Sequence, residues 1–175
     1  AAIQFVKSFL QDIVDEKFPL EKLIITKKLN SFYKNPESIA HKVLAERMGK
    51  RDPGNKPSVG SRVPFVYIQT KGKVKLQGNK IENPEYIRAN NLKPDYGFYI
   101  TNQLMKPIQQ VFALILEDIP SFKRKVPAFK RKCEYLKQTC KDDEKYNKKE
   151  EALRNKEVKK IIFDDALRQA NNIKN

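Results

Sequence analysis

Residues 36–68 place the tightest limit on what this chain can fold into. Asn35-Pro36 supplies an N-cap and a proline at the first helical position, so a helix is expected to start there. Ile39, Val43, Leu44 and Met48 recur on one face of it, and Gly49 reads as its stop. Asp52-Pro53-Gly54 and Pro57-Ser58-Val59-Gly60 then punctuate a basic loop, expected to be irregular over 50–61. Val63 to Ile68 is an apolar strand. A helix that empties into such a loop and then a strand offers cations and free backbone N–H groups in one place.

Around this segment the periodicities give an α+β fold, mostly helical. Ile3, Val6, Phe9, Leu10, Ile13 and Val14 recur at helical spacing over 2–16, and Phe18-Pro19 ends that helix. Leu23-Ile24-Ile25-Thr26 is a β-branched run that delivers Thr26, Lys27 and Lys28 to its exit. Lys71-Gly72-Lys73 reads as a turn into Val74-Lys75-Leu76, making a hairpin with a basic tip. The expected sheet is antiparallel and small, built from 22–28, 62–69 and 73–77. Asn83-Pro84 opens a short helix through Ile87. A longer one follows Pro94-Asp95 with Leu104, Ile108, Val111, Phe112 and Ile115 inside, kinked or split at Pro107.

Composition changes near Asp118, which divides the chain into 1–117 and a lysine-rich helical tail at 118–175. Leu153, Val158, Ile161, Ile162 and Leu167 give the tail a partial stripe, so it reads as a charged helix, loosely packed or fraying. Phe122-Lys123-Arg124-Lys125-Val126 echoes in Phe129-Lys130-Arg131-Lys132-Cys133, a local duplication. Ala1-Ala2-Ile3 begin inside an amphipathic pattern, which gives the expectation of an excised piece.

Charge narrows the partners. The net charge is +15, and residues 21–80 carry 14 Lys/Arg against Glu21, Glu37, Glu46 and Asp52. A surface that served only solubility would mix the signs more evenly, so a polyanion such as nucleic acid is favoured. No run approaches the ~20 apolar residues of a membrane span, so no membrane partner is expected. Cys133 and Cys140, seven apart without a nearby histidine, read as ordinary thiols.

Phosphate recognition needs cations and close backbone approach. Arg51, Lys56 and Arg62 flank turns where Gly54 and Gly60 let backbone N–H groups approach closely, and Lys50, Gly60 and Ser61 belong to the same expected DNA-binding set; Arg grips phosphate bidentately and Lys as a point charge. Such contacts fix position without reading bases. Thr26, Lys27 and Lys28 at the strand exit suit the same chemistry, as do Lys71 and Lys73 at the hairpin tip, although plain solvation of these lysines stays open. A solvated loop with incidental charge is the bland alternative for the whole set. His41, the only histidine, lies off the apolar stripe without a nucleophile or carboxylate at catalytic spacing, so it reads as structural or solvent-facing. Asp142-Asp143 and Asp164-Asp165 read as solvated charge, and Tyr96, Phe98 and Tyr99 as core rather than a stacking platform.

Three blocks in order carry a resemblance: Leu23-Ile24-Ile25-Thr26-Lys27-Lys28-Leu29, the stretch from Ala40 to Phe65, and Tyr99-Ile100-Thr101-Asn102-Gln103-Leu104-Met105-Lys106-Pro107-Ile108. Together they resemble the thumb segment of family B DNA polymerases of the delta type, from about Leu10 to Leu116. The resemblance implies a piece of a DNA-directed DNA polymerase whose thumb wraps primer–template duplex. The catalytic palm with its magnesium, and the fingers, belong to the rest of the parent chain. No counterpart of the palm's Asp-Thr-Asp or Lys-Lys-x-Tyr motif is present, so this fragment alone is expected to be inactive and to hold no cofactor. The expected partners are primer–template DNA and the remaining polymerase domains, inside the cell in the nucleus or a viral replication compartment. Delta-type enzymes follow the thumb with metal-binding cysteine motifs; the lysine-rich tail here looks more like polymerases of large double-stranded-DNA viruses. The competing class is a self-standing basic nucleic-acid-binding module with no enzymatic parent.

Overall fold

In the structure, a computed structural model, residues 1–172 are described. They divide into two units, one formed by residues 16–99 and the other by residues 1–15 with those from 100 onward.

The 16–99 unit is organised by a three-stranded antiparallel sheet in the order β1 (Ile25–Lys28), β2 (Arg62–Tyr67), β3 (Ile81–Glu82). β1 pairs with β2 from Ile25↔Phe65 to Lys28↔Arg62, and β3 joins at Val66↔Glu82 and Tyr67↔Ile81. β3 reaches only the last two residues of β2, so Pro64, which has no N–H to give, stands where the strand has one neighbour. The third strand corrects the expected 73–77. Ile81, fully buried, can lie opposite Tyr67, whereas Leu76 is 45% exposed and Lys73 and Lys75 are fully on the surface. The arms of the Gly72 turn therefore do not pair, and a 3-10 turn at Gln77–Lys80 leads into β3 instead.

Helix α2 (Ala40–Arg51) covers this sheet. It begins later than the sequence indicated. Pro36–Ser38 forms a separate 3-10 turn, tied by Ser38 Oγ to the Asn35 carbonyl, and Ile39 is extended. Gly49 does not stop the helix; the residue before Pro53 does, because a proline disfavours helical backbone just ahead of it. Leu44 and Ala45 are fully buried against Leu29, Val63, Phe65 and Ile81. Burying one such leucine is worth about 1.5–3 kcal/mol, and this cluster holds helix to sheet. Gly78 lets the chain before β3 touch α2, since a Cβ there would sit 2.5 Å from the Cβ of Val43.

Helix α3 (Pro84–Asn90) opens as expected, with Asn83 Oδ1 accepting from the Glu85 N–H at 2.9 Å, and closes on left-handed Asn91. Asp95 accepts the Phe98 N–H at the start of α4 (Tyr96–Tyr99). Tyr96 and Tyr99 are buried and Phe98 stacks on Tyr67 at 3.7 Å. The Tyr99 hydroxyl donates to the Leu23 carbonyl at 2.7 Å and accepts the Tyr67 N–H at 3.0 Å, stitching the approach to β1 to the end of β2. Burial pushes this phenol up to about 12.

The other unit is helical. Its α1 (Ala2–Val14) buries Leu10, Ile13 and Val14 and ends at Asp15, followed by left-handed Glu16. Residues 100–104 form one π-helical stretch, and α5 (Met105–Ala113) follows, with Pro107 in its first turn where a missing N–H is harmless. The wide π turn resets the helical phase. Phe112 and Ala113 face inward, while Val111 and Ile115 are 61% and 45% exposed, contrary to the expected stripe. The tail is also better built than its charge indicated. It forms α6 (Val126–Thr139), α7 (Asp143–Ile162) and α8 (Asp164–Asn172), with Phe122, Val158 and Phe163 fully buried. Asp142 caps α7 through the Glu144 and Lys145 N–H groups, and Asp164 pairs with Lys159 at 2.8 Å. Arg154 on α7 donates to Glu117 and to the Ala113 carbonyl, which locks α7 to the end of α5 and holds the Glu117 carboxyl below its usual range.

Candidate nucleic-acid interface

The antiparallel register brings two sequence-distant groups together. Lys28 stands opposite Arg62, and beyond them the Leu29 N–H donates to the Ser61 carbonyl at 2.9 Å while the Gly60 N–H donates to the Leu29 carbonyl at 2.7 Å. Thr26, Lys27 and Lys28 therefore share one sheet corner with Gly60, Ser61 and Arg62. Gly60 has φ +88°, a conformation that costs a side-chain-bearing residue about 1–2 kcal/mol, and the turn it makes sets the register.

Electrostatically this corner is uncompensated. Lys27, Lys28 and Arg62 are exposed, and among the described residues none pairs with a carboxylate. Like charges facing each other across a strand pair are destabilising, so Lys28 opposite Arg62 is a cost that an approaching anion removes. The backbone beneath is fixed from α2. His41 Nε2 lies 3.1 Å from the Lys28 carbonyl and 3.0 Å from the Tyr33 hydroxyl, and that hydroxyl also accepts the Asn30 N–H at 2.8 Å. Burial lowers the His41 pKa, Lys27 adding to the effect against the opposing bond to the Lys28 carbonyl. His41 is thus a structural latch, and Tyr33, which the sequence did not single out, is its partner.

The remaining sequence-derived residues lie elsewhere. Arg51 is turned inward, donating from both terminal nitrogens to Glu82 at 3.0 and 2.8 Å with its guanidinium 3.6 Å over the Tyr86 ring. Arg47 holds the same carboxylate at 3.1 Å, and Glu82 is the buried charged residue of this core at 6% exposure. Sequence reasoning missed Glu82 because its partners are 31 and 35 residues away. Lys56 reaches back to Glu46 at 2.9 Å, and Lys42 takes the other oxygen at 2.7 Å. Those two hydrogen bonds, Lys42 first, pull the Glu46 carboxyl down to about 2. Lys50 is exposed in the last turn of α2, where a cation complements the helix dipole. Lys71 and Lys73 are exposed on the β2–β3 connection and are not bonded to the strand-exit group. Among the described residues no group of three or more His, Cys, Asp or Glu is placed to hold a metal ion.

A family model described as DNA polymerase family B matches residues 1–115. The DNA polymerase of Pyramimonas orientalis virus is 47% identical over 173 residues, 98% of this chain and 14% of that protein. The DNA polymerase of Acanthamoeba polyphaga mimivirus is 47% identical over 131 residues, 71% of this chain and 8% of that protein. The DNA polymerase delta catalytic subunit of Candida albicans is 39% identical over 115 residues, 66% of this chain and 11% of that protein. The chain thus spans about a seventh or less of the length of these relatives. Its tail, beyond the family match, still aligns with the Pyramimonas orientalis virus protein. With the family matched over well over half its length, and viral and delta-type polymerases both aligning to it, the chain belongs to DNA polymerase family B.

Proposed function

We propose that residues 1–117 are the thumb of a replicative DNA-directed DNA polymerase, that they grip primer–template duplex through its phosphate backbone, and that 118–175 form an appended tail. The observation that carries this is the uncompensated corner of Lys27, Lys28 and Arg62, held on a backbone fixed by the Gly60 N–H to Leu29 and Ser61 N–H to Ser58 bonds, so the side-chain cations rather than free N–H groups would meet the phosphates. A polymerase must slide on any sequence, and phosphate contacts from such a group fix register without reading bases. Lys50, Lys71 and Lys73 extend the positive field around it, whereas Arg51 and Lys56 shape the loop through Glu82 and Glu46. We assign the catalytic magnesium to the palm of the parent polymerase, as the family membership suggests, and no chemical step to this chain. The remaining polymerase domains are then its covalent partners, and the site of action is wherever the DNA is copied, the nucleus or a viral replication compartment.

Fluorescence anisotropy of the purified chain with a labelled duplex, over a salt series, tests the grip. Each phosphate contact contributes about 0.9 to the slope of log affinity against log salt, so Lys27→Ser/Lys28→Ser/Arg62→Ser is expected to flatten that slope by about 2.5 units. Scrambling the duplex sequence should change nothing, and the chain should extend no primer with magnesium present. An unchanged slope in the triple variant, or strong preference for one sequence, refutes the reading.

A further inference from the structure

The 120–141 segment carries Lys123, Arg124, Lys125, Lys130, Arg131, Lys132, Lys137 and Lys141 against Glu134 alone. The structure explains the repeated Phe-Lys-Arg-Lys within it. Phe122, in the 3-10 turn Pro120–Lys125, and Phe129, on α6, are both buried, and their rings meet edge to face at 5.6 Å. Each phenylalanine is an inward anchor, and the three cations after it are left outside. All six are exposed, and among the described residues none of them forms a salt bridge, although the Lys130 charge adds to the lowering of the Glu117 carboxyl. Lys125 and Lys132, one from each triplet, line a single cavity of about 190 Å³ with Ala128 and Glu157, so the two triplets meet through these two residues. Glu157 is itself paired with Lys160 at 3.4 Å, and Lys123, Arg124, Lys130 and Arg131 are exposed outside the cavity lining.

We infer that this doubled Phe-Lys-Arg-Lys surface is a second, separate binding surface for the phosphate backbone of duplex DNA, added to the family B thumb by the tail. It rests on the thumb reading only in naming DNA as the polyanion. Three features select a nucleic-acid backbone. Lysine is depleted at the cores of protein–protein interfaces, which need apolar anchors, and this face offers Tyr135 alone as a large exposed ring. A membrane-surface helix needs its apolar side free, but Phe129 and Cys133 on α6 are buried within the unit. Clustered Lys and Arg without carboxylate partners are what releases counterions from DNA. The family match stops at residue 115, so this surface is not part of what family B members share in that match.

The test uses the full 175-residue chain. Lys123→Ser/Arg124→Ser/Lys130→Ser/Arg131→Ser is compared with the strand-exit triple variant by salt-dependent anisotropy on the same labelled duplex, with circular dichroism to check folding. The fourfold variant is expected to flatten the slope by about 3.5 units, and the two sets of substitutions together to flatten it additively. If the fourfold variant melts early, Lys130→Ser/Arg131→Ser is measured instead, with a change of about two units expected. An unchanged slope overturns the inference while leaving the thumb reading intact; a change confined to the fourfold variant upholds it and removes the thumb reading. Binding to phosphatidylserine vesicles or to a polyglutamate peptide that the fourfold variant abolishes, with duplex binding untouched, also overturns it.

Discussion

Replacing Arg51 by alanine separates an internal anchor from a DNA contact. The substitution removes two of the three charge-assisted hydrogen bonds to Glu82, at 3.0 and 2.8 Å, and the stacking of the guanidinium on Tyr86. Arg47 retains one bond at 3.1 Å, so the carboxylate is half-orphaned rather than abandoned. Breaking a buried pair outright costs about 3–5 kcal/mol. The Arg51 side chain is 34% exposed, so water can replace part of what is lost, and a destabilisation of about 2–3 kcal/mol is expected. For a chain of this size that lowers the melting temperature by about 5–10 °C. Arg51→Ala should therefore melt early in circular dichroism and urea titration, yet change the salt slope of duplex binding by well under one unit. The reverse result, a normal melt with the slope flattened by about 0.9, would falsify the inward placement of this guanidinium in solution.

Two further outcomes follow from the geometry. Tyr99→Phe removes the hydroxyl that serves both Leu23 and Tyr67, leaving a buried carbonyl and N–H without a partner; about 1–3 kcal/mol of stability should be lost, and denaturant titration reads it directly. Glu46 has a folded-state pKa of about 2 against its usual 4.5. A depressed carboxyl stabilises above the unfolded value and loses that contribution as pH falls through the folded one. Hence the Lys42–Glu46–Lys56 bridge should open between pH 4.5 and about 2 in a carboxyl NMR titration, and Glu46→Gln should erase the transition.

Local signals carried much of the fold. The spacing of Leu10, Ile13 and Val14, the β-branched run into Thr26, and the Asn83-Pro84 cap each act over a few residues, and the corresponding elements form. The misses were long-range or subtle. Lys71-Gly72-Lys73 has turn chemistry, but strand pairing was decided by which apolar residue could be buried opposite Tyr67, and that was Ile81. The face of α5 rotated because a π-helical turn has no composition signal of its own. The tail hid its core because Ala166 and Ala170 bury small side chains among many charges. At the candidate site the cations were visible by type, but their allegiance was not: a sequence cannot show that Arg51 faces Glu82 while Arg62 faces solvent.

The contact between Gly78 and Val43 makes two distant positions answer to one volume. A methyl group added at 78 would lie 2.5 Å from the Cβ of Val43 and 2.7 Å from its Cγ1, so neither position can enlarge by itself. Since Gly78 lies in the 3-10 turn that leads into the strand carrying Glu82, and its carbonyl accepts from Arg47 at 3.0 Å, any swelling there is transmitted to the arginine pair. Drift at these sites is therefore coupled. Trading Val43 for alanine removes the Cγ contacts but keeps the Cβ at 2.5 Å, so a side chain at 78 strains the joint between α2 and β3 until the two backbones part.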